Sequence, residues 1–251
     1  MASPKPTPAL TLFRGFPATN RHVPSPFVNK LEARLRMGGL PYRIDSGLPM
    51  KAPRGKIPYV ELNTSPDPSA SSPEQLADSA LITRRLVEDG DGGMRALLED
   101  KVYFYQVRER WVDNYYAMRD SVLGFMPYPV RVLVGLLAYR NVTATLQGQG
   151  ALRYTGEEMA ALRLEAWEGV NAMLVESRSK ALAAGSEGPF WVLGGERPTE
   201  ADPTVFGFVA AALACEQAPA TEKVVRSFPV VMEYAKRIHD QYFSDYECWQ
   251  D

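Results

Sequence analysis

Cysteine and histidine are nearly missing from this chain: in 251 residues there are Cys215, Cys248, His22 and His239 and no others. The two cysteines are far apart and match no redox or metal spacing, and two scattered histidines cannot complete a zinc shell. No metal site is expected. Net charge is also small, with 28 basic against 30 acidic residues. A balance of −2 gives no long-range pull toward nucleic acid or anionic lipid. Basic clusters with interleaved aromatics are absent, which argues against a nucleic-acid partner. Long apolar runs are lacking as well. The longest, residues 130–139, contains Arg131 and is too short to span a bilayer. The first eight residues carry no apolar stretch of the signal-peptide kind. The expectation is a soluble, cytoplasmic protein of a reducing compartment, in which the sequons at Asn63 and Asn141 go unused.

What is present is ample core material, 45% hydrophobic, enough for one large domain or two modest ones. Residues 9–16 read as a first strand. Residues 17–24 are a turn-rich loop, and Ser25-Pro26 then starts a helix, with Ser at the N-cap and Pro at the first helical position. Phe27, Leu31 and Leu35 come next at helical spacing until Gly38-Gly39 stops the run. Residues 40–45 return as a second strand, making a βαβ unit with parallel strands and a right-handed crossover. Residues 59–62 and 74–77 read as two further strands, separated by a Pro/Ser-rich excursion over 63–73. Asp78-Ser79 caps a helix over 80–88, and residues 89–93 form a linker. Beyond it the pattern is wholly helical, over 97–118, 130–146, 155–184, 199–215 and 230–242. An α/β sandwich followed by an all-α domain is the resulting fold class.

The organising stretch is Lys51-Ala-Pro-Arg-Gly-Lys-Ile-Pro-Tyr-Val-Glu61. Proline cannot donate to a sheet ladder, so Pro58 belongs at the start of a strand or in a turn. A cis bond there leaves the backbone groups of Ile57 free to pair with an extended, peptide-like ligand.

A domain of this order with a strand-initial Ile-Pro, followed by helices, resembles the glutathione transferase superfamily over nearly the whole chain. Four patterns carry the likeness: Ser25-Pro-Phe-Val-Asn-Lys30, Gly55-Lys-Ile-Pro58, Leu76-Ala-Asp-Ser79, and Pro198-Thr-Glu-Ala-Asp202 before an apolar helix. Phe190-Trp-Val-Leu-Gly-Gly195 accompanies the last of these. Within the superfamily the first helix looks closest to the failed-axon-connections and metaxin-like branch. It also resembles related fungal proteins of secondary-metabolite pathways.

The resemblance implies a thioredoxin-like, glutathione-binding domain over 1–90 and an all-helical domain over 94–251. It implies glutathione as cofactor, an apolar electrophile as second substrate, and a homodimer as an assembly state. Ser25 becomes the catalytic hydroxyl, with Asn20, Arg21 and His22 as alternative donors to the thiolate. As an ordinary N-cap, Ser25 would instead satisfy a helix N–H. Lys56, Ile57 and Pro58 would meet the glutathione backbone and glycyl carboxylate, with Lys51 and Arg54 nearby. Asp78 and Ser79 would hold the γ-glutamyl end, and as plain residues they cap a helix. Thr199 and Asp202 read as a capping box that carries no chemistry. Phe27, Tyr103, Trp111 and Tyr115 are the expected wall of an apolar substrate pocket; the last three fall on one face of a single helix. The implied activity is thiolate addition, ending in a conjugate or in trans/cis isomerisation of an activated double bond. A non-catalytic interaction protein or ligand carrier is the alternative.

Overall fold

Apolar residues at every second position along three short segments dictate a sheet with two covered faces. A computed structural model, which describes residues 9–48, 51–53, 55–63, 74–79, 82, 92–183, 185 and 190–250, realises it with four strands. These are β1 (Ala9–Phe13), β2 (Arg43–Asp45), β3 (Tyr59–Asn63) and β4 (Glu74–Ala77), in the order β2-β1-β3-β4. β2 runs parallel to β1, joined by helix α1 (Pro26–Met37), whereas β3 and β4 are antiparallel additions. Leu10, Leu12, Val60 and Leu62 form one face, packed on Leu31 and Leu35 of α1 and on Ile82. Phe13, Tyr59 and Ala77 occupy the other with Ala52, and the Phe13 and Tyr59 rings stack 4.3 Å apart. The strands expected at 9–16 and 40–45 are thus shorter than read. The excursion beyond Asn63, the helix over 80–88 and most of the linker at 89–93 lie outside the described residues.

The remaining described chain is helical. α2 (Gly92–Leu97) passes through a π-helical turn (Leu98–Val102) into α3 (Tyr103–Arg108), and a second π-helical turn (Glu109–Asp113) precedes α4 (Tyr115–Leu123). After these come α5 (Tyr128–Gly148), α6 (Gly156–Ala183), α7 (Ala201–Leu213), α8 (Pro219–Arg226) and α9 (Pro229–Tyr242). This is a thioredoxin-like α/β layer followed by a mostly helical region. The single helix expected over 97–118 is interrupted, because each π turn inserts a residue and rotates the side chains beyond it. Tyr103, Trp111 and Tyr115 therefore do not share one wall.

α1 lies directly on α7, the contact that joins the sheet layer to the helices. α7 is buried along nearly its whole length and tolerates this because Gly207 faces α1. Asp202 fastens the start of α7. Its carboxylate accepts from the N–H of Thr199 and of Val192, both at 2.7 Å, and from the Tyr234 hydroxyl at 3.1 Å. Half of the expected capping box is formed in this way. The Thr199 hydroxyl accepts from Ala201 N–H rather than from Asp202 N–H.

Candidate functional site

Strand register gathers the candidate residues at one end of the sheet. Asp45, Phe13, Tyr59 and Ala77 lie side by side across the four strands. One step beyond that row stand Ser46, Arg14, Pro58 and Asp78. This is the end where the parallel strands β1 and β2 finish, the usual side for ligands in sheets of this kind. Pro58 is buried and the Ile57–Pro58 peptide is cis. Lys51 and Lys56 are exposed on the same loop, and Arg54 lies outside the described residues. Asp78 sits opposite Pro58 with φ at +79°, a left-handed conformation costly for a residue with a side chain. Ser79 behind it is buried, and Ile82 N–H closes a helical turn on the Asp78 carbonyl at 2.9 Å.

From β1 the chain turns into the loop that leads to Ser25. Gly15, at φ +75°, lets the loop lie against Ile57; a Cβ there would overlap Ile57 Cδ1. Arg14 is fully buried and organises this loop, donating to the carbonyls of Ala18 (2.9 Å) and Arg21 (2.7 Å) and lying 3.2 Å from Glu32. Burial raises the Glu32 carboxyl, and Arg14 opposes that most. Asn29 pins the far end of the loop through both the N–H and carbonyl of Val23. Arg110 reaches across from the helices to the Pro24 carbonyl at 3.0 Å.

Ser25 caps α1 by position, yet its hydroxyl makes no capping hydrogen bond. Pro26 at the first helical position supplies no N–H, and Asn29 fastens the loop in its stead. The expected spending of that hydroxyl on the helix is not realised. Among the other donors considered for a thiolate, Asn20 is engaged with Glu247, donating from Nδ2 at 3.1 Å and accepting from the Glu247 N–H at 2.8 Å. His22 Nε2 is 3.0 Å from His239 Nδ1, within a cage of Phe206, Phe243, Tyr246 and Trp249. Its pKa is pushed down to about 3, by burial first and then by His239 and the Arg14 and Arg36 charges. His22 is thus neutral near pH 7. Arg21 is exposed.

A cleft of about 850 Å³ opens at the loop between β1 and α1; Pro24 is part of its lining, whereas Ser25, Lys56, Ile57, Pro58, Asp78 and Ser79 are not. The loop supplies Gly15, Phe16, Pro17, Arg21 and Val23; α4 and the turn after it supply Val122 and Phe125; the end of α7 supplies Ala210 and Leu213; and Trp249 comes from the C-terminal segment. That segment runs along the loop, with Arg21 bridged to Glu247 in parallel. Two hydrogen bonds hold it down, Tyr246 to Glu32 at 2.6 Å and Arg36 to the Tyr242 carbonyl at 2.7 Å, together with the Arg36–Asp245 ion pair.

The aromatic wall expected from the sequence is elsewhere. Phe27 packs edge-on against Tyr103 and Phe208; Trp111 covers the cluster around Tyr105 and Leu146; Tyr115 meets Tyr116 and Tyr139. None of the four lines the cleft. The loop over 17–24, read in the sequence as lying beside the ligand site, supplies much of this cleft's lining.

Among the described residues no three His, Cys, Asp or Glu side chains are grouped to hold a metal ion, and no helix is long and apolar enough to cross a membrane.

Residues 26–118 match the family model described as the glutathione S-transferase N-terminal domain. Solved structures are similar to this chain at low sequence identity. FzlA from C. crescentus is 11% identical, with 94% of this chain and 89% of that chain covered, at a TM-score of 0.53. Ure2p in complex with glutathione is 14% identical, with 95% of each chain covered, at 0.49. Glutathione transferase Omega 1C from Trametes versicolor is 13% identical, with 96% and 92% covered, at 0.45.

Proposed function

We propose that the protein, similar to glutathione S-transferases in its N-terminal segment, is a glutathione-dependent enzyme acting on an apolar electrophile. In this reading residues 1–90 form the glutathione-binding unit and 94–251 the helical unit. The observation that carries it is the strained Asp78, held at φ +79° across from Pro58 at the ligand-binding end of the sheet. Backbone strain of this kind persists where the surroundings impose it, and it clusters at ligand clamps. Asp78 would meet the γ-glutamyl ammonium, Ser79 its carboxylate, the Ile57 backbone the cysteinyl unit, and Lys56 the glycyl carboxylate.

The thiol sulfur would then lie toward the start of α1. There the Ser25 hydroxyl, unspent on the helix, donates to the thiolate, and the helix N-terminus adds positive potential. In the reaction the thiolate forms a carbon–sulfur bond to the β-carbon of an activated alkene, and the π electrons move onto the activating group. Protonation at the α-carbon releases a conjugate. Rotation followed by loss of the thiolate returns the alkene with its geometry changed. The cleft at the β1–α1 loop would take the apolar part of the electrophile.

Incubation with glutathione and an activated cis-alkene separates the outcomes by mass and geometry. A product heavier by glutathione indicates conjugation, and an unchanged mass with trans geometry indicates isomerisation. Ser25→Ala is expected to lower turnover about 10- to 100-fold, the worth of one hydrogen bond to a charged group. No rate above the uncatalysed reaction for any such alkene contradicts the proposal. A second reading, a transferase-like interaction or carrier protein, is favoured by an apolar face of α4 and α5 that is exposed among the described residues.

A further inference from the structure

The chain enters α1 through Pro24 and Ser25, and two side chains hold that entry. Asn29 belongs to α1 itself and bonds to Val23. Arg110 comes from the helical region, 86 positions along the chain from Pro24, and its Nη1 donates to the Pro24 carbonyl at 3.0 Å. Pro24 lines the cleft, and the next residue is Ser25. A single carbonyl therefore stands where the wall of the cleft meets the start of α1, and a side chain of the helical region holds it.

Arg110 belongs to the second π-helical turn, Glu109–Asp113. Turns of this kind recur at functional sites, where the extra residue re-aims the side chains around it. Glu109 and Arg110 are neighbours in sequence and both buried, at 2% and 7% exposed. Glu109 is spent on α8, accepting from Ala220 N–H at 2.7 Å and Thr221 N–H at 3.2 Å, and on Arg163 at 3.3 Å. Arg110 instead reaches the β1–α1 loop. Its Nε donates to the Gln106 carbonyl at 3.2 Å, which fixes the plane of the guanidinium. Among the described residues no carboxylate lies within ion-pairing distance of Arg110. The Cys215 thiol beside it is raised by burial and stays protonated near pH 7. A buried cation without an acid partner is costly, and an apolar side chain would serve packing as well or better. The use of Arg110 lies in the carbonyl that it holds.

We propose that Arg110 is a positioning residue for the thiolate chemistry: by holding the Pro24 carbonyl it sets the Ser25 hydroxyl where the glutathione sulfur would lie. This rests on the reading of Ser25 as the donor to that thiolate. Arg110 itself touches neither substrate nor reacting atoms and acts through Ser25. Placement at this level matters, since a shift of about 1 Å in a positioned group costs up to about 100-fold in rate.

The test is the ultraviolet thiolate absorbance of glutathione bound to the full chain near pH 7. Arg110→Met, which removes the donor, is expected to cut this signal about three- to tenfold, as a rise of about one pKa unit in the bound thiol does near neutrality. Ser25→Ala should do the same. Affinity for S-methylglutathione, which has no thiol to ionise, should be unchanged in Arg110→Met, because the contacts to the two ends of the tripeptide are untouched. Arg110→Lys, which still donates to the carbonyl, should keep most of the signal. The double variant should fall no lower than Ser25→Ala alone, because both substitutions act through one hydroxyl. Arg110→Gln, too short to reach Pro24, gives the same reading where Arg110→Met does not fold. An unchanged signal in Arg110→Met beside a reduced one in Ser25→Ala overturns the proposal and leaves the glutathione site standing. Single losses that multiply in the double variant overturn it likewise, as does weakened S-methylglutathione binding in Arg110→Met, which marks a disturbance of the whole site. Absence of a thiolate signal in the parent chain overturns the reading of Ser25 and the proposal with it.

Discussion

His22 illustrates how a single residue can tie stability to pH. The ordinary value for its side chain is 6.5, and in the folded chain it is pushed down to about 3, chiefly by burial. Between those values the unfolded chain binds a proton that the folded chain refuses. Stability is therefore complete above about pH 6.5 and falls as the pH drops through the window, by up to about 1.4 kcal/mol per unit for this group. His239, also lowered by burial, acts in the same direction. Urea midpoints measured from about pH 7.5 down to pH 5 should decline, and His22→Gln should flatten the decline. Equal slopes in the two proteins would contradict this account. His22 was legible only as a loop residue that could donate to a thiolate. Its partner lies 217 positions away, and no spacing rule reports a contact at that range. Ser25 was nearer to being legible: its place at the helix start follows from the Ser-Pro pair, whereas its missing cap bond depends on Asn29 and Val23.

At the scale of elements, the contact between α1 and α7 depends on Gly207. A Cβ at that position would stand 2.6 Å from Lys30 N and 2.8 Å from the Pro26 carbonyl oxygen, both backbone atoms of α1 that cannot step aside. In a free helix, Gly→Ala stabilises by about 1 kcal/mol. Here Gly207→Ala is expected to destabilise by about 1–3 kcal/mol, the usual cost of overpacking. Denaturant unfolding gives the sign directly. The strands were largely readable, β4 to the residue, because alternation and flanking turns mark them. The π turns were not, since the periodicity of residues 97–118 fits a plain helix and the extra residue in each turn is a tertiary effect. The short helix α8 was also missed. Pro219 at its first position was the available sign, and Glu109 completes it by accepting from the N–H groups of Ala220 and Thr221.

At the scale of the molecule, the β1–α1 loop, the ends of α4 and α7 and the C-terminal segment meet around one cleft. The buried Arg14–Glu32 pair, with Tyr246 and Arg36 attached, joins the loop to the C-terminal segment. The cleft has a mixed polar and apolar lining, with Arg21, Glu216 and Glu247 beside Val23, Leu213 and Trp249.

The central claim is the glutathione site at the sheet end, and calorimetric titration with reduced glutathione at fixed pH tests it most directly. The account predicts saturable binding in the micromolar to low-millimolar range, weakened about tenfold or more by Asp78→Ala and by Ser79→Ala, as expected for hydrogen bonds to charged groups. No heat and no thermal stabilisation by glutathione, or binding indifferent to both substitutions, would contradict it.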